Sequence, residues 1–240
     1  MRLSIVIPTW NEVRYLGRTL ASLRAIDAEI VCVDGGSTDG TPELTGTFGV
    51  SVVRSPRGRG AQLGHGVPAT RGDVLWFLHA DTVVDCDAAG QIAQACLDRR
   101  VVGGNFRLIF DGRTCGARFL NHLYPWLARI GLRYGDSGIF ARRAAYEASG
   151  GFRALPIFED IDLLRRLTRL GALETLAGPL RTSSRRFEDR HFAPVFLRWT
   201  MLQVLYWMGC DPHWLGRIYY PDADWPEKSP GIGSTGNRTR

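Results

Sequence analysis

Short apolar runs, each closed by polar or glycine-rich residues, recur through the first third of the chain. Leu3-Ser4-Ile5-Val6-Ile7 is the first, and Pro8 closes it. Ile30 to Val33, Val50 to Val53 and Val74 to Leu78 follow. Near-continuous runs of this length fit strands buried on both faces, as in a parallel sheet. After the first run, Val13, Leu16, Leu20 and Leu23 recur at helical spacing and form one apolar stripe. Asn11 stands just ahead of them, where a helix cap belongs. Strands alternating with helical segments predict an α/β fold: a Rossmann-like, mostly parallel sheet flanked by helices.

The second half is less regular. Gly103 to Phe110 and Ile139-Phe140-Ala141 read as strands. Arg113 to Leu132 reads as largely helical, with Pro125 breaking or kinking it. Asp160 to Leu170 predicts a short amphipathic helix carrying Ile161, Leu164 and Leu167 on one face. Phe192 to Met208 predicts a longer apolar helix covering the sheet. Pro226 to Arg240 is rich in Gly, Ser, Pro and basic residues, the composition of a disordered tail. There is no internal repeat. The 240 residues suit one domain over 1–225, regular to about residue 110 and less so from 111 to 225.

Composition changes this picture little. Hydrophobic residues make up 45% and charged residues 22%, an ordinary globular balance. The net charge of +6 suits an anionic ligand, and it also fits a plain solvated basic surface. The five cysteines are scattered with no CxxC pair, which favours reduced thiols over disulfides or a zinc site. Leu3 to Ile7 is too short for the apolar core of a signal peptide. Val195 to Met208 is interrupted by Arg198 and is shorter than the ~20 residues a membrane span needs. The expected setting is cytoplasmic.

The chemistry gathers where strands end. In open parallel sheets, ligands bind beyond the carboxyl ends of the strands. Three runs lead into polar motifs there: Pro8-Thr9-Trp10-Asn11-Glu12, Asp34 to Thr41, and His79-Ala80-Asp81. Carboxylates brought together repel unless a cation or hydroxyl groups sit among them. Asp34, at the strand end, fits a base or ribose contact better than an ordinary turn. Asp39 fits a helix cap. Asp81 has two readings: a ligand to Mg²⁺ or Mn²⁺ shared with diphosphate oxygens, or an N-cap for a helix starting at Thr82. Arg57-Gly58-Arg59-Gly60-Ala61-Gln62 precedes a helical segment whose N-terminus could meet phosphate. Gly135-Asp136-Ser137-Gly138 is a polar turn. Glu159 and Asp160 open a helix, either as dipole-stabilised caps or as a base for an acceptor hydroxyl.

The ordered set Ser4 to Thr9, Asn11-Glu12, Val33 to Thr41, His79-Ala80-Asp81 and Glu159-Asp160 resembles the GT-A glycosyltransferases of family 2. The resemblance covers roughly residues 3–220. The forms Arg57 to Gln62, Gly135-Asp136 and His79-Ala80-Asp81 resemble a bacterial subgroup associated with radical-SAM and seleno-domain proteins or arsenosugar biosynthesis. The resemblance implies a nucleotide-sugar donor held in the first half. Thr9 and Glu12 would hold the nucleoside and Asp34 the base or ribose, with Pro8, Gly35, Arg59 and His79 also on the donor side. Asp81 would bind the divalent metal, Mn²⁺ or Mg²⁺. Asp160 would be the base of an inverting transfer, with Asp136 and Glu159 on the acceptor side. His79 departs from the diacid usual in the family, which loosens the case for the metal. His191 is a further candidate ligand, although a lone histidine is more often structural.

The acceptor is expected to be a small molecule, a glycan or a lipid, and nucleic acid is not an expected partner. His79 also motivates a second hypothesis, a nucleotide-sugar-binding protein without catalysis. A nucleotidyltransferase would carry a Gly-rich basic loop directly after the first strand, where Pro8 to Glu12 stands instead. An NAD dehydrogenase fails for want of GxGxxG there. The helix from Phe192 carries enough exposed-type aromatics to suggest peripheral contact with the inner face of a membrane, or a dimer contact.

Overall fold

The computed structural model describes residues 1–112, 114–129, 134–183 and 192–220. The end of the expected helix at Leu132, His191 and the expected tail lie outside the described residues. In chain order the strands are β1 (Leu3–Thr9), β2 (Glu29–Asp34), β3 (Ser51–Arg54), β4 (Val74–Phe77), β5 (Thr82–Val83), β6 (Val101–Phe110), β7 (Phe140–Arg142) and β8 (Ala172–Thr182). The helices are α1 (Val13–Leu23), α2 (Thr41–Thr47), α3 (Arg59–Gly66), α4 (Ala88–Ala95), α5 (Cys115–Arg129), α6 (Arg143–Ala148), α7 (Glu159–Leu167), α8 (Phe192–Trp207) and α9 (Pro212–Tyr219). A 3-10 turn spans Gly135–Ser137.

The strands form one sheet in the order β3-β2-β1-β4-β7-β6-β8-β5. The first four run parallel to one another, as the apolar runs predict. β7 runs antiparallel between β4 and β6, and β8 runs parallel to β6. Successive residues of each strand serve opposite faces. Ile5, Ile7 and Trp76 pack with Leu16 and Leu20 of α1, Ile92 of α4 and Leu120 of α5. Val6, Leu75 and Phe77 pack on the other face with Leu63 of α3, Tyr146 of α6 and Leu163 and Leu167 of α7. A small third cluster joins Leu202 of α8 and Leu215 of α9 to Ile157.

Several expectations need correction. β1 does not stop at Pro8 but continues to Thr9. Its ladder to β4 ends at Val6–Phe77, so on that side Pro8 lies past the paired residues and its missing N–H is tolerated. α5 continues through Pro125, so of the two outcomes expected there the break does not occur. It is anchored by Asn121, whose side chain both donates to and accepts from the Phe110 backbone. The buried face of α7 is Leu163, Leu164 and Leu167, with Ile161 only half-buried. The spacing left Leu163 out of a face that it centres. β5 and β8 were not expected. α8 is not the buried cover expected: only Leu202 and Gln203 are buried, while Phe192, Val195, Phe196 and Trp199 pack partly on the main core.

Candidate active site at the carboxyl ends of the strands

The loops after β1 and β2 are stitched together. The Asn11 N–H donates to Ser37 Oγ, and Asn11 Oδ1 accepts from the Thr38 N–H. Asn11 adopts a left-handed φ of 53° and clasps the neighbouring loop instead of capping α1. The α1 start is served from outside, by Asp39, which accepts from the N–H of Val13 and of Thr41. Asp39 thus serves the starts of two helices; burial pushes its carboxyl up, but the Thr41 hydroxyl and these two amides outweigh it and hold it below the usual range. The Glu12 N–H donates to Thr41 Oγ1.

Asp34, 4% exposed, closes a turn of its own. Its Oδ2 accepts from the N–H of Gly36 and Ser37, and its Oδ1 from the Ser37 hydroxyl. Thr9 stands opposite Asp34 in register, with its Oγ1 3.4 Å from Asp34 Oδ1. The Gly35 N–H donates to Thr9 O. A side chain at Gly35 would meet the Gln62 amide at 3.1 Å and the Arg57 backbone at 3.3 Å. Gln62 is buried in α3 and donates to Thr9 O and Val33 O, pinning that helix across the ends of β1 and β2. Beside this turn the Arg57 guanidinium lies 3.4 Å from the centroid of the Trp10 ring.

The second cluster joins distant segments. Arg59, the first residue of α3, is ion-paired with Glu159 at the start of α7 and lies 3.9 Å from Asp160 Oδ2. Its other edge faces His79, with Nη1 3.4 Å from Nε2. Gly60 allows this approach, since a side chain there would collide with the Arg153 carbonyl at 2.3 Å. Burial pushes the Glu159 carboxyl up, contact with Arg59 pulls it back, and Asp160 adds to the rise, so its net shift is upward. The two carboxylates raise the Arg59 pKa, against burial, and keep it cationic. Asp160 accepts from the Gly135 N–H at 2.5 Å through Oδ2 and from the Ile161 N–H at 2.8 Å through Oδ1. Phe158, just before them, holds a left-handed φ of 62° and stacks on Tyr206 of α8, centroids 4.6 Å apart. A shallow, open cleft with a cavity volume of only about 10 Å³ is lined by Arg59, His79, Gly135, Glu159 and Asp160 over the apolar floor of Phe77 and Ile139.

Asp136 lies in the Gly135–Ser137 turn and accepts from the Tyr124 hydroxyl at 3.4 Å. Burial pushes the neighbouring Tyr134 hydroxyl up to about 12, with the charges of Asp136 and Asp160 adding to it. Asp81 is half-buried beyond the end of β4. Thr82 begins β5 and not a helix, so the N-cap reading of Asp81 falls; Asp87 precedes α4 instead. Among the described residues no three His, Cys, Asp or Glu side chains stand together as a metal cage.

Of the residues singled out in the sequence, Arg59, His79, Glu159 and Asp160 therefore meet in one cleft, with Asp136 in the turn that supports it. Pro8, Thr9, Asp34 and Gly35 meet at the paired ends of β1 and β2, and Glu12 follows them at the foot of α1. Sequence reasoning assigned no role to Gln62, Trp10, Phe158 or Tyr124. Only Trp10 carried a signal, as an aromatic directly beyond a strand end.

The chain matches the family described as Glycosyl transferase family 2 over residues 4–147. It is 28% identical over 169 residues to an uncharacterized glycosyltransferase of Nostoc sp., covering 61% of this chain and 52% of that one. The chain thus spans about half the length of that curated relative. Glucosyl-3-phosphoglycerate synthase from Mycobacterium tuberculosis, solved with Mn²⁺, uridine diphosphate and glucosyl-3-phosphoglycerate, is similar at a TM-score of 0.60 and 19% identity. That likeness covers 85% of this chain and 79% of the other. S. aureus TarS 1–349 is similar at 0.57 and 17%, over 85% of this chain and 66% of that one. At these identities the two solved structures speak for the fold.

Proposed function

We propose, from the premise that the chain belongs to glycosyl transferase family 2, that it moves a sugar from a nucleoside-diphosphate sugar to an acceptor hydroxyl with inversion. The observation that carries the reading is the cleft where Arg59, His79, Glu159 and Asp160 converge on the strand ends. Pro8, Thr9, Glu12, Asp34 and Gly35 form the nucleoside side. Arg59 and His79 face the diphosphate. Asp81 would hold the divalent metal, which when bound would neutralise charge developing on the departing diphosphate.

Asp160 is the base. The amides of Gly135 and Ile161 hold its carboxylate in one orientation, so that an oxygen is presented to the acceptor hydroxyl and takes its proton as the sugar carbon is attacked. Glu159 keeps Arg59 in place through their ion pair. Asp136 shapes the acceptor side with Tyr124. The M. tuberculosis neighbour, solved with UDP-glucose, Mn²⁺ and phosphoglyceric acid, supports a donor and acceptor of this general kind. The forms around Arg57 to Gln62, Gly135-Asp136 and His79 to Asp81 favour the bacterial subgroup they resemble, and the scattered cysteines and the aromatic helix from Phe192 favour a cytoplasmic setting peripheral to the inner membrane face.

Thermal-shift titration with UDP-, GDP- and dTDP-sugars, with and without Mn²⁺, tests the reading. One donor raises the melting temperature, and Mn²⁺ enlarges the shift. No shift with any of them removes the donor site. A shift with neither hydrolysis nor transfer favours the second reading, a catalytically inactive nucleotide-sugar-binding protein, which His79 in place of a carboxylate motivates.

A further inference from the structure

The outward side of α8 is the opposite of a solvated helix face. Leu197, Met201, Val204 and Met208 follow each other at spacings of four, three and four, which lays them in one stripe. All four are exposed, Leu197 at 70% and Met208 at 72%. Trp207 beside the stripe and Trp214 on α9 are more than half exposed. At its N-terminal end α8 joins α5 through Phe119, whose ring meets Phe192 and Phe196 at 5.8 and 5.5 Å. α9 is tied to α8 by the Trp199 indole N–H donating to the Tyr219 hydroxyl. The stripe is therefore part of a three-helix surface, about 17 Å long on α8 alone.

Charge decides what covers it. α5, α8 and α9 contain no Asp or Glu, while Arg118, Arg198 and Arg217 are exposed on them. Two copies meeting on this surface would bring these arginines together, which opposes a dimer. An anionic bilayer meets both features: Arg118 and Arg217 find lipid phosphate, the apolar stripe enters the acyl boundary, and the tryptophans take the interface where amphipathic rings sit.

We infer that the α5–α8–α9 surface docks on an anionic lipid bilayer through the α8 stripe. This deepens the peripheral setting proposed above and rests on it. The docked face adjoins the site, because Tyr206, on the inward side of α8, stacks on Phe158 directly before Glu159 and Asp160. Docking through α8 thereby holds the acceptor side of the cleft near the lipid surface, which suits a lipid-borne hydroxyl as the acceptor.

Co-sedimentation of the full chain with vesicles tests it, comparing phosphatidylcholine alone with mixtures containing phosphatidylglycerol. The protein pellets with the anionic vesicles, and less so at high salt. The double substitution Met201→Glu and Val204→Glu lowers the bound-to-free ratio at least about tenfold. Its side chains already face water, so its melting curve and donor-induced thermal shift stay those of the wild type. Arg118→Glu with Arg217→Glu removes the preference for anionic over zwitterionic vesicles. Wild-type protein left in the supernatant with both vesicle types overturns the docking face and the peripheral setting together. Equal pelleting of the Met201→Glu, Val204→Glu protein overturns the face alone. A concentration-dependent dimer that the same substitutions abolish, without lipid binding, assigns the stripe to a second copy and overturns the inference. A donor-induced shift in any of these cases leaves the sugar-transfer reading standing.

Discussion

Asp34 and Glu159 are both buried carboxylates beside the same group of strand ends, yet they are held in opposite ways. Asp34 draws its bonds from Gly36 and Ser37, two and three residues away. Glu159 depends on Arg59, one hundred residues away in the chain. The first half of the molecule fixes its acid with its own backbone amides. The second half fixes its acid with a cation borrowed from the first. A self-contained turn keeps its geometry whatever happens elsewhere. A long-range ion pair makes the acceptor side conditional on the donor side, because the buried Glu159 charge is not tolerated there without Arg59.

The sharpest way to separate the two regions is Asp160→Asn. Turnover should fall about 10²–10⁴-fold, the usual worth of a general base, while the donor-induced thermal shift is unchanged. Wild-type turnover in that variant would sink the base assignment. Arg59→Met comes next. It strands Glu159 without its cation and should cost about 3 kcal/mol in urea unfolding, the low end for a broken buried pair because Arg59 is partly exposed. Equal stability in that variant would mean the two halves are not coupled through this pair. Asp34→Asn disturbs only the local turn, taking an acceptor from the Gly36 and Ser37 amides. It should cost about 1–2 kcal/mol, a smaller loss than Arg59→Met by the same measurement.

The smallest effect is one of pH. The Glu159 carboxyl is raised, so the native state keeps its proton to higher pH than the unfolded chain does. Between its ordinary value of 4.5 and the raised one, the native state binds more protons, and stability falls as pH rises through that window. Unfolding free energies taken across it should show the fall in the wild type and lose it in Glu159→Gln. An unchanged slope in the variant would place the titration on another group.

The same contrast explains what could be read from the sequence. β1, β2 and β4 were legible because they are buried on both faces, leaving unbroken apolar runs; β3 is a mostly exposed edge strand, legible from its valines alone. The motifs at their ends were legible because each turn is built from consecutive residues. β8 was not: Leu176 and Pro179 are adjacent in the ladder to β6, and Ala177 and Gly178 bulge out between them, which destroys any alternation. The pairing of Arg59 with Glu159 was not legible either, since nothing local records a partner so far along the chain. Nor was Gln62, whose targets are two backbone carbonyls that every sequence possesses. Asn11 was misread because its cap-like position is real, but the amide it serves belongs to Thr38 in the next loop. The Asp81 cap fell for a related reason: the residues after it form a strand whose partner, β8, was itself hidden.

The clasp between the first two loops has a consequence for ligand capture. Asn11, Glu12 and Val13 are each tied to Ser37, Asp39 or Thr41, so these loops lose their freedom when the chain folds and have little left to lose when a ligand arrives.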